Sequence, residues 1–180
     1  MKNITILNFS GRKDGNCAHI AEHISVRRAD TFVHIYAIDR RISPCNNCNY
    51  ECLQPGVTCP NVSEYQEQVM HGILGSDTVY MIVPNYCGFP NANFLAFNER
   101  SVGFFNSDRA LMQQYMSVRK RFIIVSNTEN EVFQKAMEQQ SKSPEVLYLK
   151  TSKYGKRSIA GDLLDSAEAV ADLDAYLALE

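Results

Sequence analysis

Hydrophobic and polar positions divide the chain into alternating short and long periods. DTVYMIVPNY (77–86) and KRFIIVSN (120–127) are nearly unbroken apolar runs. That pattern belongs to strands buried on both faces of a parallel sheet. ITILNF (4–9), TFVHIYAI (31–38) and the weaker EVLYLK (145–150) are shorter runs rich in β-branched and aromatic residues, and they predict three more strands. Helical spacing replaces them in between. SGRKDGNCAHIAEHISVRR turns from loop residues to a helix with Ile20, Ile24 and Val26 near one face. VSEYQEQVMHGILGS (62–76) places Val62, Tyr65, Val69, Ile73 and Leu74 on one face, NFLAFNER reads as the start of another helix, and SAEAVADLDAYLALE (166–180) closes the chain with an Ala/Leu-rich face.

Strands that alternate with helices imply a parallel sheet, because parallel neighbours need a crossover between them, usually a helix. Five strands of this kind fit an α/β three-layer sandwich with the flavodoxin-like order 2-1-3-4-5. Residues 1–180 read as one domain, with no repeat or linker to divide them. In such sheets ligands bind beyond the carboxyl ends of the strands at the switch point, so the loops after the first, third and fourth strands are the candidates.

With 45% hydrophobic residues, 21% charged residues and a net charge of −2, the composition is that of a globular protein. No basic run suggests nucleic acid or a membrane surface as partner. The N-terminus lacks the pattern of a signal peptide, and no apolar stretch is long enough to span a bilayer. The expected address is cytoplasmic, where thiols stay reduced unless they serve metal or redox chemistry.

After the first strand, Ser10, Gly11, Gly15 and Asn16 lie between a strand and a helix start, where unpaired N–H groups and a partial positive charge can hold a phosphate. Arg12 and Lys13 add attraction at longer range. Neither the Walker loop nor the G-x-G-x-x-G fingerprint is present. A plain polar turn with Asp14 or Asn16 capping the helix is the alternative. After the third strand, VPNYCGFPNANFLAFNER runs through a Pro, Tyr and Gly-bearing loop that can offer backbone amides and an aromatic edge to a flat ligand.

FSGRKDGNCAHI and PNYCGF followed by LAFNER together resemble the NADPH-dependent FMN reductase group of flavodoxin-like proteins, which includes the iron-sulfur flavoproteins. The resemblance spans roughly residues 1–127 and implies bound FMN, with Ser10, Arg12, Gly15, Asn16 and Cys17 around its phosphate. Pro84, Asn85, Tyr86, Cys87 and Gly88 would line its ring. Cys17 stands where the family has Thr, and a thiol is a weaker hydrogen-bond partner. Taken alone, Cys17 and Cys87 read as small buried residues. The family's Gly-rich turn after the fourth strand is replaced by SNTENEVF, where Ser126, Asn127 and Thr128 could substitute. The resemblance also implies NAD(P)H as electron donor, a small flavin-like or quinone-like acceptor, and a homo-oligomer, dimer or tetramer.

ISPCNNCNYECLQPGVTCP (42–60) carries four of the six cysteines, Cys45, Cys48, Cys52 and Cys59, as C-x2-C-x3-C-x6-C. Asn46, Asn47, Asn49, Pro55 and Gly56 are turn residues that let such a loop wrap a metal centre. In the iron-sulfur relatives a similar motif, one residue shorter between the second and third cysteines, holds a 4Fe-4S cluster. With a cluster the chain would be an electron carrier, with ferredoxin as a partner. Four thiolates also suit a structural zinc site in a non-catalytic module, and cluster-free relatives leave a third option of no metal. His19 and His23 are four apart without a third ligand and read as solvated or packed. SKYGKR (152–157) reads as a solvated basic loop, with Lys153 or Arg157 as a secondary candidate for holding a partner or a nicotinamide phosphate.

Overall fold

The first strand, β1 (Asn3–Asn8), is buried from Ile4 onward and takes an interior place in the sheet. The structure is a computed structural model and describes residues 2–45, 48–54, 56–106, 108–127 and 131–179. Asn46, Asn47, Pro55 and Thr128, singled out above, lie outside the described residues. The other strands are β2 (Phe32–Ala37), β3 (Thr78–Tyr86), β4 (Phe89–Pro90), β5 (Arg119–Ser126) and β6 (Glu145–Lys150). The helices are α1 (Asn16–Arg27), α2 (Glu64–Leu74), α3 (Ala92–Phe105), α4 (Arg109–Ser117), α5 (Glu131–Glu138) and α6 (Ala167–Leu177).

Five strands pair in parallel in the order β2-β1-β3-β5-β6, while β4 adds a short antiparallel pair to the end of β3. This is the flavodoxin-like order, with one strand more than the sequence pattern predicts. β1 and β3 run side by side from Ile4↔Thr78 to Asn8↔Ile82, and β3 meets β5 from Thr78↔Arg119 to Pro84↔Val125. The switch point falls between β1 and β3, where the chain moves first to one side and then to the other.

Each continuous apolar run proves to serve two cores by alternation. Val79, Met81 and Val83 of β3, with Phe122 and Ile124 of β5, face Val69, Ile73, Phe94 and Phe97 from α2 and α3. Tyr80 and Ile82, with Ile123 and Val125, face Ile20 and Ile24 of α1 and Leu173 and Tyr176 of α6. Most of these side chains are fully buried, at about 1.5–3 kcal/mol each in transfer free energy. The edge strand β2 differs: Phe32 and Ile35 are exposed, as is Val26 of α1, which does not share the buried face of Ile20 and Ile24.

Helix starts are fixed by side-chain caps of about 1 kcal/mol each. Ser63 accepts from the Gln66 N–H, Asn91 from Phe94, Asp108 from Ala110 and Leu111, and Ser166 from Ala169. Helix α1 is the exception among these five. Its N-cap is Gly15 rather than Asp14 or Asn16, and no side chain caps it. Among the described residues no helix is long and apolar enough to cross a membrane.

Candidate functional site

The loop after β1 is held from within. Asn8 accepts from the Ser10 N–H at 2.9 Å, and Ser10 Oγ accepts from the Arg12 N–H at 3.2 Å, which turns the chain toward α1. The first N–H groups of α1 have no carbonyl one turn back to bond, which leaves a partial positive charge at Asn16 and Cys17. Cys17 is buried, and burial pushes its thiol up to about 12 against a smaller opposing pull from Arg12, so it stays neutral.

Residues 157–163 cross over this loop as a strap, a feature invisible in the periodicity. Arg12 Nη1 donates to the Ile159 carbonyl at 2.6 Å, and Asn16 Nδ2 donates to the Ser158 carbonyl at 3.1 Å. Asn16 Oδ1 accepts from the Leu163 N–H at 3.0 Å. His19 bonds the Gly161 carbonyl through Nδ1 and the Asp14 carboxylate through Nε2, both at 2.8 Å. The backbone that follows the basic loop therefore reaches the site, while Lys153 is spent on Asp172 and Glu168. His23 pairs with Asp174 at 2.8 Å.

At the end of β3 a two-residue turn joins Tyr86 to Phe89 in β4. Both turn residues, Cys87 at φ 53° and Gly88 at φ 88°, are left-handed, the requirement of a type I′ hairpin. Glycine meets it freely, whereas Cys87 holds a conformation costing about 1–2 kcal/mol. Cys87 is exposed, contrary to its reading as a buried residue. Asn85 locks the turn: its Oδ1 accepts from the Gly88 N–H at 2.8 Å, and its Nδ2 donates to Ser126 Oγ, at the end of β5, at 2.6 Å. Asn91 and Asn93 both donate to the Phe9 carbonyl, at 2.6 and 3.0 Å, and tie the start of α3 to the end of β1.

These elements meet in one cleft of about 230 Å³ at the carboxyl ends of β1, β3 and β5. Ser10, Arg12, Gly15, Asn16, Cys17, Pro84, Asn85, Tyr86 and Cys87 line it, nine of the ten residues expected there. Gly88 is not among the lining residues and acts through the turn. Val125, Asn127, Ser158 and Ile159 complete the wall. Asn127 follows from its place after the fourth long strand, but Ser158 and Ile159 carried no sequence signal because the strap reaches them through backbone carbonyls.

The cysteine segment forms a separate cavity of about 690 Å³ against α3, lined by Cys45, Cys48, Cys52, Cys59, Glu99, Arg100 and Gly103 among others. Arg100 is 2% exposed and lashes the segment down. It donates to the Ser43 carbonyl at 3.1 Å, to Ser43 Oγ at 3.2 Å and to the Pro44 carbonyl, and its Nη1 lies 3.6 Å from Cys59 Sγ. Glu99 accepts from the Cys45 N–H at 3.0 Å, and Asn106 donates to the Cys52 carbonyl. The donor set suits a thiolate-bound metal, and all four cysteines line this one cavity. Among the described residues no three His, Cys, Asp or Glu side chains are grouped so as to hold a metal ion.

A larger, open hollow of about 820 Å³ lies along β6 and α6, lined by Leu147, Tyr154 and Tyr176 among others, and its Lys153 and Asp172 neutralise one another. No protein-family model matches the sequence, and no curated protein matches it. Solved structures do. The Trp repressor binding protein from Bacillus subtilis is similar at 17% identity and TM-score 0.63, over 99% of both chains. FerB from Paracoccus denitrificans, a flavoenzyme NAD(P)H:(acceptor) oxidoreductase, is similar at 11% identity and TM-score 0.59, over 99% of this chain and 96% of that one. Smu.1420 from Streptococcus mutans UA159 is similar at 12% identity and TM-score 0.66, over 98% of this chain and 100% of that one. At these identities the likeness shows the fold: the chain is a flavodoxin-like α/β sandwich.

Proposed function

We propose that this chain binds FMN in the cleft at the β1/β3 switch point and serves as an oxidoreductase that takes electrons from NAD(P)H and reduces a small acceptor. One observation carries the reading: nine residues expected from two separate loops line a single cleft beside an uncapped helix N-terminus. Such a terminus favours a phosphate. The name of one similar structure, the flavoenzyme NAD(P)H:(acceptor) oxidoreductase FerB, supports flavin chemistry on this fold.

The residues fit a ligand with an anionic end and a flat aromatic body. Arg12 and the first turn of α1 suit the phosphate, and the Asn85-locked turn offers backbone amides and the exposed Tyr86. A cavity of about 230 Å³ is below the ~300–1,000 Å³ common for ligand sites, and it opens on exposed Tyr86 and Cys87. A bound ligand is therefore not wholly enclosed, which leaves room for a donor or acceptor to approach. FMN, when bound, supplies the electron-transfer chemistry. The chain binds it, orients it and fixes the turn beside it. Cys17 keeps its proton and is no base, so no side chain here is assigned acid–base work.

The test is titration of the apoprotein with FMN and, in parallel, with riboflavin, followed by quenching of flavin fluorescence. FMN should bind at least about tenfold more tightly, the worth of one charge-assisted contact. Equal affinities would remove the phosphate assignment, and no binding of either would end the flavin reading. Anaerobic bleaching of the bound flavin by NADH or NADPH then tests the donor.

A further inference from the structure

The walls of the cleft differ in what holds them. Sheet register sets the ends of β1, β3 and β5, and Asn85 locks the turn after β3 through its bonds to Gly88 and Ser126. Helix α1 is packed into the core through buried Cys17, Ile20 and Ile24. The remaining wall is the strap, and none of residues 157–161 is buried. Even Ile159, an apolar side chain, is 66% exposed. Apolar burial therefore does not hold the strap in place, and its polar contacts must.

Those contacts divide into a pinned base and a tied tip. At the base, Tyr154 and Leu163 are buried in the core shared by α1 and α6, and Lys156 pairs with Asp162 at 3.3 Å across the two ends. Gly155 at φ 65° and Gly161 at φ 82° lie on either side of the tip in left-handed backbone, which glycine enters and leaves at little steric cost. At the tip, the Ile159 carbonyl accepts from Arg12 Nη1 at 2.6 Å and the Ser158 carbonyl from Asn16 Nδ2 at 3.1 Å. Both donors stand beside the α1 N-terminus, where an anion would be met. Two carbonyl dipoles thus hold the donors that phosphate oxygens would use. A guanidinium bonds an ionised phosphate more strongly than a neutral carbonyl, so a phosphate wins the exchange.

We propose that the strap is a phosphate-released latch: residues 157–161 close the phosphate end of the cleft, and an incoming phosphate monoester takes Arg12 and Asn16 from the Ile159 and Ser158 carbonyls and frees the tip. The Lys156–Asp162 pair and the bond from the Leu163 N–H to Asn16 Oδ1 keep the base in place. The tip then lifts as a flap between Gly155 and Gly161, and the cleft, about 230 Å³ with the latch closed, widens at that end. A flavin without a phosphate leaves the latch closed. The latch rests on the reading of the cleft as a site for a phosphate-bearing ligand, and it adds that the phosphate is both the handle that is bound and the trigger that opens the wall.

The experiment digests the full-length apoprotein with limiting trypsin, alone, with FMN and with riboflavin. Cuts after Lys156 and Arg157 are timed by mass spectrometry, and flavin fluorescence on the same samples reports binding. FMN should speed these cuts about fivefold, the change in open population that goes with loss of one hydrogen bond. Riboflavin should leave them at the rate of the protein alone, and FMN should not speed cuts elsewhere. Without ligand, Arg12→Ala should speed the strap cuts by a similar factor and Arg12→Lys by less, and FMN should add little to the Arg12→Ala rate. Bound FMN that leaves the strap cuts unchanged or slows them would overturn the latch, as would an Arg12→Ala protein cut no faster than the parent. If FMN fails to bind, the flavin reading falls by itself, and the ligand-free comparison of Arg12→Ala with the parent still decides the latch. Digestion of the parent with FMN needs no variant to fold.

Discussion

The cleft and the cysteine cavity are both hollows bordered by cysteine, yet they are held by different means. The cleft sits where β1, β3 and β5 end, so sheet register places its residues. The cavity is walled by a long segment between β2 and α2 that lies on α3, and side chains, chiefly Arg100, hold it there. A site hung on strand ends inherits the rigidity of the sheet, whereas a site made by a laid-down segment depends on individual lashings. Removing a cation from each should therefore act very differently.

Arg100→Leu is expected to give the largest effect. It strips partners from the Ser43 and Pro44 carbonyls at a nearly buried position, and a loss of about 2–4 kcal/mol should appear in urea unfolding. Arg12→Leu is the matched change at the cleft, where the side chain is exposed, and it should cost less than about 1 kcal/mol. Equal losses would show that the two regions are held alike. Gly103→Ala comes next. Its Cβ would meet Cys59 Cβ at 2.7 Å, an atom too close to the backbone to swing aside, and overpacking of this kind costs about 1–3 kcal/mol. The cleft at the ends of β1, β3 and β5 should be unaffected, so binding of FMN, the ligand proposed for it, serves as the control.

The same contrast explains what the sequence disclosed. The apolar runs at 77–86 and 120–127 mark β3 and β5 because both faces of those strands are buried, and the resemblance carried by the loops after the first and third strands pointed to nine residues that line the cleft. Arg109–Ser117 escaped because its helix buries little beyond Tyr115, although Asp108 before RALM is a capping signal that could have revealed it. The strap escaped because carbonyls, which every residue has, make its contacts. For the cysteines, spacing gave the members of the cavity but not what packs them against α3. That depends on Gly103 and Arg100, some fifty residues away in sequence, and no local pattern reports such a distance.

A smaller effect separates binding from stability within the cleft itself. Arg12→Ala should weaken FMN binding by about 10–100-fold, since a charge-assisted bond to phosphate is worth about 1.5–3 kcal/mol, and the deficit should shrink as salt is added. Riboflavin, which lacks the phosphate, should bind the variant and the parent alike. A matching loss for riboflavin would mean that Arg12 acts by holding the strap through Ile159 rather than by meeting the ligand.

The smallest expected effect concerns that strap and has a definite sign. His19 faces the Gly161 carbonyl at Nδ1 and the Asp14 carboxylate at Nε2, both at 2.8 Å, with Glu22 also nearby. Carbonyl and carboxylate oxygens only accept, so both bonds form together only when both ring nitrogens carry protons. The bond to Gly161, and then the Asp14 bond and charge, raise the His19 pKa above its ordinary value near 6.5. A raised folded-state pKa adds stability that is fully present below the unfolded value and is lost as pH climbs through the folded one. Because the His19 side chain is 39% exposed and solvent screens the pair, the contribution should be a few tenths of a kcal/mol. Urea midpoints for the parent should therefore fall slightly between about pH 6 and pH 8, and His19→Gln should flatten that decline. If the decline persists unchanged in the variant, another group titrates in the window, and the strap is held by Arg12 and Asn16 without help from the imidazolium.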